Sequence, residues 1–386
     1  MKKSATKSPR IVNETPATLV TERSAEAAMN TPDRPPSSRL LWQARARRLR
    51  TVAIVGFAVG SLALGGLVVH LARQGAAGFD VTDALTSRTP QRSWQLRRGK
   101  HWQIVSAPSE NQETTDAAEG TRGACSPGMV EVQGRMKMDP PPGGGADLRS
   151  IEELQKTTCT KWINREYPER CAQFDRAAWL DLSKELPERP MHFCIDRYEY
   201  PDQKGAYPWV GVSWYEAVEI CADEGKRLCD ELEWTFACEG EEAMPYPYGY
   251  VRDPEACVID KTWRPYNEKA LRPRDGESAM LEMDKLWQGV AAGAQPRCRS
   301  PFGVYDLTGN IDEWTRSARE GERPSILKGG YWGPVRTRCR PSTRSHDENH
   351  VFYQEGFRCC TDPGVTPVKK TGSDDPSLAP LPRALQ

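Results

Sequence analysis

"VSWYEAVEICADEGKRLCDELEWTFAC", residues 212–238, contains the signals of two short helices placed almost end to end. Ser213 and Glu216 form a capping box, in which two side chains satisfy backbone groups that lack partners in the first helical turn. Gly225 is a natural end for this helix, because the left-handed cap conformation carries no steric penalty for glycine. Asp230 and Glu233 repeat the capping box directly afterwards. The stretch therefore predicts two short helices.

Residues 241–330 have a different composition, rich in Gly, Pro, Tyr and Trp, with only short apolar runs. This pattern predicts short strands joined by long loops and argues against long helices. Loops longer than ~15 residues are unusual in compact domains unless something holds them in place. We therefore expect disulfides and bound ions to fix this part of the chain.

Cysteine is distributed unevenly along the 386 residues. All twelve cysteines follow residue 124, and the part of the chain before them has none. An even number of cysteines confined to one side of a boundary indicates disulfide chemistry in an oxidising compartment.

An apolar segment at residues 51–72, TVAIVGFAVGSLALGGLVVHLA, precedes the cysteine-containing part. As a helix rising ~1.5 Å per residue it just covers a ~30 Å hydrocarbon layer. The basic run RARRLR at 45–50 adjoins it and should stay in the cytoplasm. Too many residues precede the segment for a typical cleavable signal peptide. We predict a signal anchor that crosses a bacterial inner (cytoplasmic) membrane once, with the C-terminal domain in the periplasm.

The remaining layout follows from composition. Residues 1–50 are polar and basic with few aromatics, which is typical of a disordered cytoplasmic tail. Residues 73–120 are predicted to be a linker in which Trp94 and Trp102 can dock locally. Residues 121–362 form one globular unit, and residues 363–386 a flexible tail. The formal net charge of zero gives no overall case for nucleic-acid binding.

Seven motifs occur in order within the globular unit. They are CIDRYEYP (194–201), VSWYEAVEIC (212–221), KRLCDELEW (226–234), YPYG (246–249), FGVYDLTGNIDEW (302–314), KGGYW (328–332) and GFRC (356–359). Together they resemble the formylglycine-generating enzyme, or sulfatase-modifying factor, family. The resemblance implies an irregular, loop-rich α+β fold related to C-type lectins, with disulfides and bound calcium. Residues of about 140–190 look like an insertion with its own cysteine pair, Cys159 and Cys171.

Calcium is expected in the segment DLTGNIDE, residues 306–313. Asp306 and Glu313 offer carboxylates, and Gly309 and Ile311 offer backbone carbonyls, which are the hard oxygen ligands that Ca²⁺ prefers. The resemblance places a calcium ion here, with asparagine usual where Asp306 stands. A solvated acidic turn is the alternative.

Copper is the catalytic metal that the resemblance implies, held as Cu(I) by two thiolates that admit the cysteine of a sulfatase substrate. Counting from Gly329, the first thiolate position falls on Pro334, which has no ligand atom, and the second falls on Cys339. One thiolate cannot make that site. The sequence therefore argues against copper and leans against catalysis, with an oxidoreductase of rearranged metal ligands as the alternative.

Cys339 stands among Arg336, Arg338 and Arg340. Arginines favour the thiolate, so a reactive thiol is one interpretation, and a metal ligand is another. A structural disulfide is favoured, because an exported domain lies where thiols oxidise. The resemblance implies two pairs, Cys238 with Cys339 and Cys221 with Cys359. It assigns no partner to the cysteines at 194, 229, 257, 298 and 360.

Other candidate groups give weaker signals. His346 and His350 have a spacing that could share a metal on a helix, but their context indicates a loop and ordinary surface histidines. Ser213, Asp260 and His192 show no triad spacing.

The tryptophans of the globular unit are expected to lie mostly in the core, with a few lining a groove for a peptide or glycan. They stand at 209, 214, 234, 263, 287, 314 and 332. The sequence as a whole therefore predicts a membrane-anchored, exported binding or scaffolding module for an unidentified protein, peptide or glycan.

Overall fold

A computed structural model of the chain describes residues 90–105, 123–140, 150–317, 319 and 321–370. The predicted cytoplasmic tail at 1–50 and signal anchor at 51–72 lie outside the described residues. Within the described part, no helix is both long enough and apolar enough to span a membrane.

A β-hairpin begins the described chain, formed by β1 (Trp94–Arg97) and β2 (His101–Ile104). Trp94 and Trp102 are buried in a core cluster with Val210 and Trp287. The indole of Trp94 donates to Asp284 at 3.0 Å, far along the sequence. The structure thus places residues 90–105 in the folded unit, ahead of the predicted boundary at 121, because burying two tryptophans holds the hairpin there.

The described part of the insertion, residues 150–190, is folded. After β3 (Met129–Lys137) it contains one helix on each side of a two-stranded hairpin. These elements are α1 (Ile151–Thr157), β4 (Cys159–Asn164), β5 (Arg170–Phe174) and α2 (Arg176–Ser183). Trp179 of α2 is fully buried, packs with Ile151 and Ala243, and donates to the Glu242 carbonyl at 2.8 Å. The insertion therefore has a small core of its own that rests on the main domain.

The two predicted helices are present. After β6 (Glu188–Asp196) come α3 (Trp214–Asp223), the short strand β7 (Arg227–Leu228) and α4 (Glu231–Glu239). Both helices carry their capping boxes, on Ser213 and Asp230, and Gly225 follows the first with φ of 72°. One further helix, α5 (Glu277–Leu286), lies within the segment predicted to consist of strands and loops.

The last five strands complete two four-stranded sheets. They are β8 (Asp312–Arg316), β9 (Ser325–Lys328), β10 (Ser342–Thr343), β11 (Glu355–Phe357) and β12 (Cys359–Thr361). One sheet has the order β10-β9-β8-β11 and the other β3-β6-β12-β7. Strand β11 runs parallel to β8, with Glu355 opposite Asp312 and Gly356 opposite Glu313. This pairing brings the GFRC and DLTGNIDE motifs together.

Most of the tryptophans are core residues, as predicted. Trp234, Trp287, Trp314 and Trp332 are buried, whereas Trp263 is 53% exposed. The predicted flexible tail begins with ordered contacts, because the amide of Lys370 donates to the Asp223 carbonyl at 2.8 Å. The described chain is thus a mixed structure of five helices and short strands joined by long loops.

Candidate functional site

The segment where the copper thiolates would stand contains a disulfide. Cys339 is fully buried and bonded to Cys238 of α4, with an S–S distance of 2.03 Å. Pro334 lies in the same loop and supplies no ligand atom. The pairing is the one that the family resemblance implies, and it leaves Cys339 neither a free thiol nor a metal ligand.

All twelve cysteines lie within the described residues, and each is in a disulfide. Cys221 is bonded to Cys359, the other pairing that the resemblance implies. The remaining four bonds join Cys125 to Cys194, Cys159 to Cys171, Cys229 to Cys360 and Cys257 to Cys298. Three of the six bonds close loops of more than a hundred residues, so they hold together elements that are distant in sequence.

The arginines around Cys339 form ion pairs. Arg340 reaches Glu239 at 2.6 Å, and Arg336 reaches Asp312 at 3.0 Å. Arg338 is 4% exposed and lies 3.3 Å from Glu152 of the insertion. These side chains therefore pair with carboxylates and do not activate a thiol. They join the loop of Cys339 to the sheet and to the insertion.

The expected calcium segment forms a tight, buried loop. Asp306 and Asn310 have positive φ angles of 60° and 53°, and Gly309 has one of 81°. A β-carbon at position 309 would lie 2.4 Å from the Val258 carbonyl oxygen, so only glycine fits there. The carboxylate of Asp306 accepts a hydrogen bond from the Gly293 amide at 2.7 Å.

Glu313 was predicted as a calcium ligand, but its carboxylate is already engaged. Both of its oxygens accept from Arg358 at 2.7 Å, and one also accepts from the Trp234 indole at 2.9 Å. The side chains of Glu313 and Arg358 have no exposed surface. Glu313 therefore serves as the partner of a buried arginine.

A third buried carboxylate, Glu199, joins this cluster. Its oxygens accept from the side chain of Asn310 at 2.6 Å and from the Ile311 amide at 3.4 Å. Burial, and then the charges of Asp306 and Glu313, raise the pKa of the Glu199 carboxyl well above its usual range. Burial likewise raises the pKa of Asp306 to about 7. The cluster thus holds three carboxylates and one guanidinium, and a cation would offset the excess negative charge.

Sequence reasoning missed Glu199 as part of this group. It lies in the motif CIDRYEYP, between two buried tyrosines, where it is the one acidic residue of the run YEYP. An acidic residue between two aromatic residues could have indicated a buried carboxylate. The local sequence does not show that this carboxylate contacts residues 306–313.

A cleft of about 930 Å³ lies beside Glu355, the first residue of β11. Its lining includes aromatic rings, two arginines, two imidazoles and several carboxylates, among them Tyr266, Arg272, Arg274, His346, His350 and Glu355. Arg274 is fixed by Glu216 of α3 at 2.8 Å, and Tyr266 is 43% exposed. The cleft therefore offers apolar, cationic and anionic contacts in one place.

His346 and His350 are not ordinary surface histidines. They lie in a loop, as expected, but their rings stack with centroids 3.9 Å apart. The carboxylate oxygens of Glu355 lie 2.9 and 3.1 Å from Nδ1 of His350. This hydrogen bond raises the pKa of His350, whereas burial, followed by the charge of His350, lowers the pKa of His346.

Ser213, Asp260 and His192 have separate partners. Ser213 caps α3 through Glu216, Asp260 binds Arg252 at 2.7 Å, and His192 lies 2.8 Å from Glu131. No nucleophilic triad forms from these three residues.

The fold, together with the disulfide that occupies Cys339, defines a disulfide-rich domain of the formylglycine-generating type in which the copper-binding thiolate pair is missing. A family model described as "Sulfatase-modifying factor enzyme 1-like domain" matches residues 161–363, which is more than half of the chain. The chain belongs to this family.

Curated relatives include both active and inactive members by name. The chain is 30% identical over 174 residues to the bovine (Bos taurus) protein named "Inactive C-alpha-formylglycine-generating enzyme 2", covering 43% of this chain and 54% of that protein. It is 28% identical over 177 residues to the mouse (Mus musculus) "Formylglycine-generating enzyme", covering 40% and 44%. The chain thus spans about half the length of the curated relatives it matches.

A solved structure titled "Crystal Structure of CarF" is also similar. It has 14% sequence identity and a TM-score of 0.33, and the match covers 46% of this chain and 89% of that one.

Proposed function

We propose that this chain is a non-copper member of the sulfatase-modifying factor family that acts as a binding module. The observation that carries the proposal is that neither copper-ligand position offers a free thiol. Cu(I) needs two thiolates, whereas Pro334 replaces one and a disulfide to Cys238 occupies Cys339. The presence of an inactive enzyme by name among the relatives supports the same conclusion.

The first test is direct turnover. The full-length protein is incubated with Cu(I), oxygen and a Cys-x-Pro-x-Arg peptide, and the peptide mass is followed beside an active formylglycine-generating enzyme. We expect no conversion of the peptide cysteine by this chain. Conversion at a rate comparable with the active enzyme would overturn the proposal and favour an oxidoreductase with rearranged ligands.

The ligand surface in this proposal is the cleft beside α3. Tyr266 presents a half-exposed ring, and Arg272 lines the same wall. An aromatic ring beside charged groups suits an extended peptide, because ring stacking and hydrogen bonding then act together. A glycan is the alternative ligand, and a relation to C-type lectins remains a prediction.

Cross-linking in membranes tests the cleft. The full-length chain, a Tyr266→Ala/Arg272→Ala variant and an Asp181→Ala control are compared, with Asp181 being exposed on α2. We expect a cross-linked partner with the wild type and the control, and its loss with the cleft variant. Equal capture by all three proteins would exclude the cleft as the binding surface. Sensitivity of the captured species to a glycosidase or to a protease separates the two ligand classes.

We further propose that the domain is exported and held by the apolar segment at 51–72. The support is the basic run at 45–50 and the confinement of all twelve cysteines to the part after residue 124. Alkaline phosphatase fused after residue 386 should be active. An inactive phosphatase fusion, together with an active reporter that functions only in the cytoplasm, would show that the orientation is the opposite one.

A structural calcium ion is the last element of the proposal. Asp306 and the carbonyls of Gly309 and Ile311 are proposed as ligands, with Glu199 as the further carboxylate of the buried cluster. Glu313 then has the supporting role of neutralising Arg358. Three buried carboxylates beside one guanidinium support a bound cation, because uncompensated buried charge is costly.

A further inference from the structure

The side chains of His346, His350 and Glu355 converge on one wall of the cleft. One ligand atom from each of the three lies within 4.8 Å of the other two. Among the residues that the structure describes, this is the one set of three His, Cys, Asp or Glu side chains with that geometry. The sulfatase-modifying motifs do not include either histidine.

The surrounding structure holds the three groups in place. Glu355 begins β11 opposite Asp312 and is 1% exposed. The hydroxyl of Ser325 donates to the His346 carbonyl at 3.2 Å, and the His350 amide donates to the Asp347 carbonyl at 3.1 Å. The loop at residues 346–350 is therefore held by an internal hydrogen bond and by one to Ser325 of β9. The two imidazoles are positioned without a bound ligand.

The local charge favours a cation. The carboxylates of Glu355, Asp312 and Asp347 favour positive charge on the imidazoles, and the opposing cations are Arg336 and Arg272. Arg336 is itself neutralised by Asp312 at 3.0 Å. The buried carboxylate of Glu355 thus remains the nearest charge to His350, at 2.9 Å.

We propose that His346, His350 and Glu355 bind a first-row divalent metal ion, with Zn²⁺ favoured. Two imidazole nitrogens and one carboxylate oxygen are a ligand set typical of zinc sites that keep an open coordination position. Because the three ligands line a cleft, that position faces the space available to a ligand. Arg272 on the same lining suits an anionic group, so the ligand class is a carboxylate-bearing molecule.

This site is separate from the proposed calcium cluster. It lies in the cleft of the proposed binding function, and its suggested ligand rests on that function, whereas metal binding itself can be measured without any ligand. It uses no sulfur, so the disulfide at Cys339 does not bear on it. In the metal-free protein Nδ1 of His350 and the carboxylate of Glu355 are within hydrogen-bond distance. A bound metal ion would take the place of this hydrogen bond.

The test is a Zn²⁺ titration of the full-length protein, purified without a histidine tag, stripped with chelator and kept in saturating Ca²⁺. Isothermal calorimetry gives the stoichiometry and affinity, and the visible spectrum with Co²⁺ reports the ligand geometry. The variants are His346→Gln and His350→Gln. Glutamine at 350 can still donate a hydrogen bond to Glu355, so the loop contact is preserved while the imidazole is lost.

His192→Gln is the matched control, because His192 also lies beside a carboxylate, Glu131, at 2.8 Å but has no third ligand. We expect one Zn²⁺ per chain, an affinity lowered roughly tenfold or more by each cleft substitution, and no change with the control. Unchanged affinity in both cleft variants, an equal loss in the control, or no stoichiometric binding by the wild type would each overturn the proposal.

Discussion

Glu313 and Arg358 form a two-point ion pair that has no contact with solvent. The Nε and one terminal nitrogen of Arg358 each donate to a different oxygen of Glu313 at 2.7 Å. The other terminal nitrogen donates to the Asp196 carbonyl at 3.2 Å. This pair connects the GFRC motif to the start of β8, where the DLTGNIDE motif ends, and it neutralises one of the three buried carboxylates of the cluster.

Arg358→Met should therefore destabilise the domain severely. Removing one partner of a buried pair leaves the other charge unpaired, at a typical cost of about 3–5 kcal/mol. Denaturant unfolding measures the change in the free energy of unfolding. Lys184→Met is the control, because the Lys184–Asp181 pair is largely exposed and screened by solvent, so its loss should change stability little. A loss in the arginine variant as small as in the control would contradict the buried-pair argument.

The disulfide between Cys238 and Cys339 should stabilise the protein more than the disulfide between Cys159 and Cys171 does. It closes a separation of 101 residues, whereas the Cys159–Cys171 bond closes 12. The chain-entropy argument gives about 4.7 kcal/mol for a long loop and about 3 kcal/mol for a short one. We expect the Cys238→Ala/Cys339→Ala variant to unfold at lower denaturant than Cys159→Ala/Cys171→Ala.

Peptide mapping without reduction checks the pairing itself. A linked peptide that contains Cys238 and Cys339 is expected. A Cys339 that alkylates rapidly near neutral pH would restore the reactive-thiol interpretation.

Calcium removal should lower the melting temperature of the purified protein. Asp306→Ala should abolish this dependence, because it removes a ligand oxygen from a buried negative cluster. Asp306→Asn keeps an oxygen ligand and should retain a weaker dependence. Elemental analysis should find one calcium ion per chain in the wild type. Identical melting with and without chelator, together with no bound calcium, would rule out the site.

His101 should make the hairpin sensitive to acid. Burial lowers the pKa of His101 from 6.5 to about 4, so the folded protein keeps this imidazole neutral. Between pH 6.5 and pH 4 the unfolded chain binds a proton that the folded chain does not, so stability falls as pH falls through that window. The effect is at most about 3 kcal/mol.

His101→Gln removes this titration. The difference in unfolding free energy between the two proteins should therefore change between pH 7 and pH 4, in favour of the variant at acid pH. Urea unfolding of both proteins at both pH values, without reductant so that the disulfides stay intact, measures this difference in unfolding free energy. A difference that is independent of pH would mean that His101 is not buried in its neutral form.

Much of the local structure could be predicted from the sequence. The capping boxes at Ser213 and Asp230 work through hydrogen bonds within three residues, so sequence alone specifies them. The motif order indicated the family, and the resemblance implied the bonds from Cys221 and Cys238. The tryptophan-rich core followed from the cost of exposing large apolar rings.

The remaining findings depend on contacts between distant parts of the chain. The sequence by itself determined that Pro334 cannot bind copper and that Cys339 stands among arginines. Only the tertiary structure decided that those arginines are engaged in ion pairs, and that Glu313 binds Arg358. It likewise decided that Glu355 meets His350 beside β8. These partners are selected by strand pairing and by the need to neutralise charge when it is buried, and neither condition is expressed in local sequence.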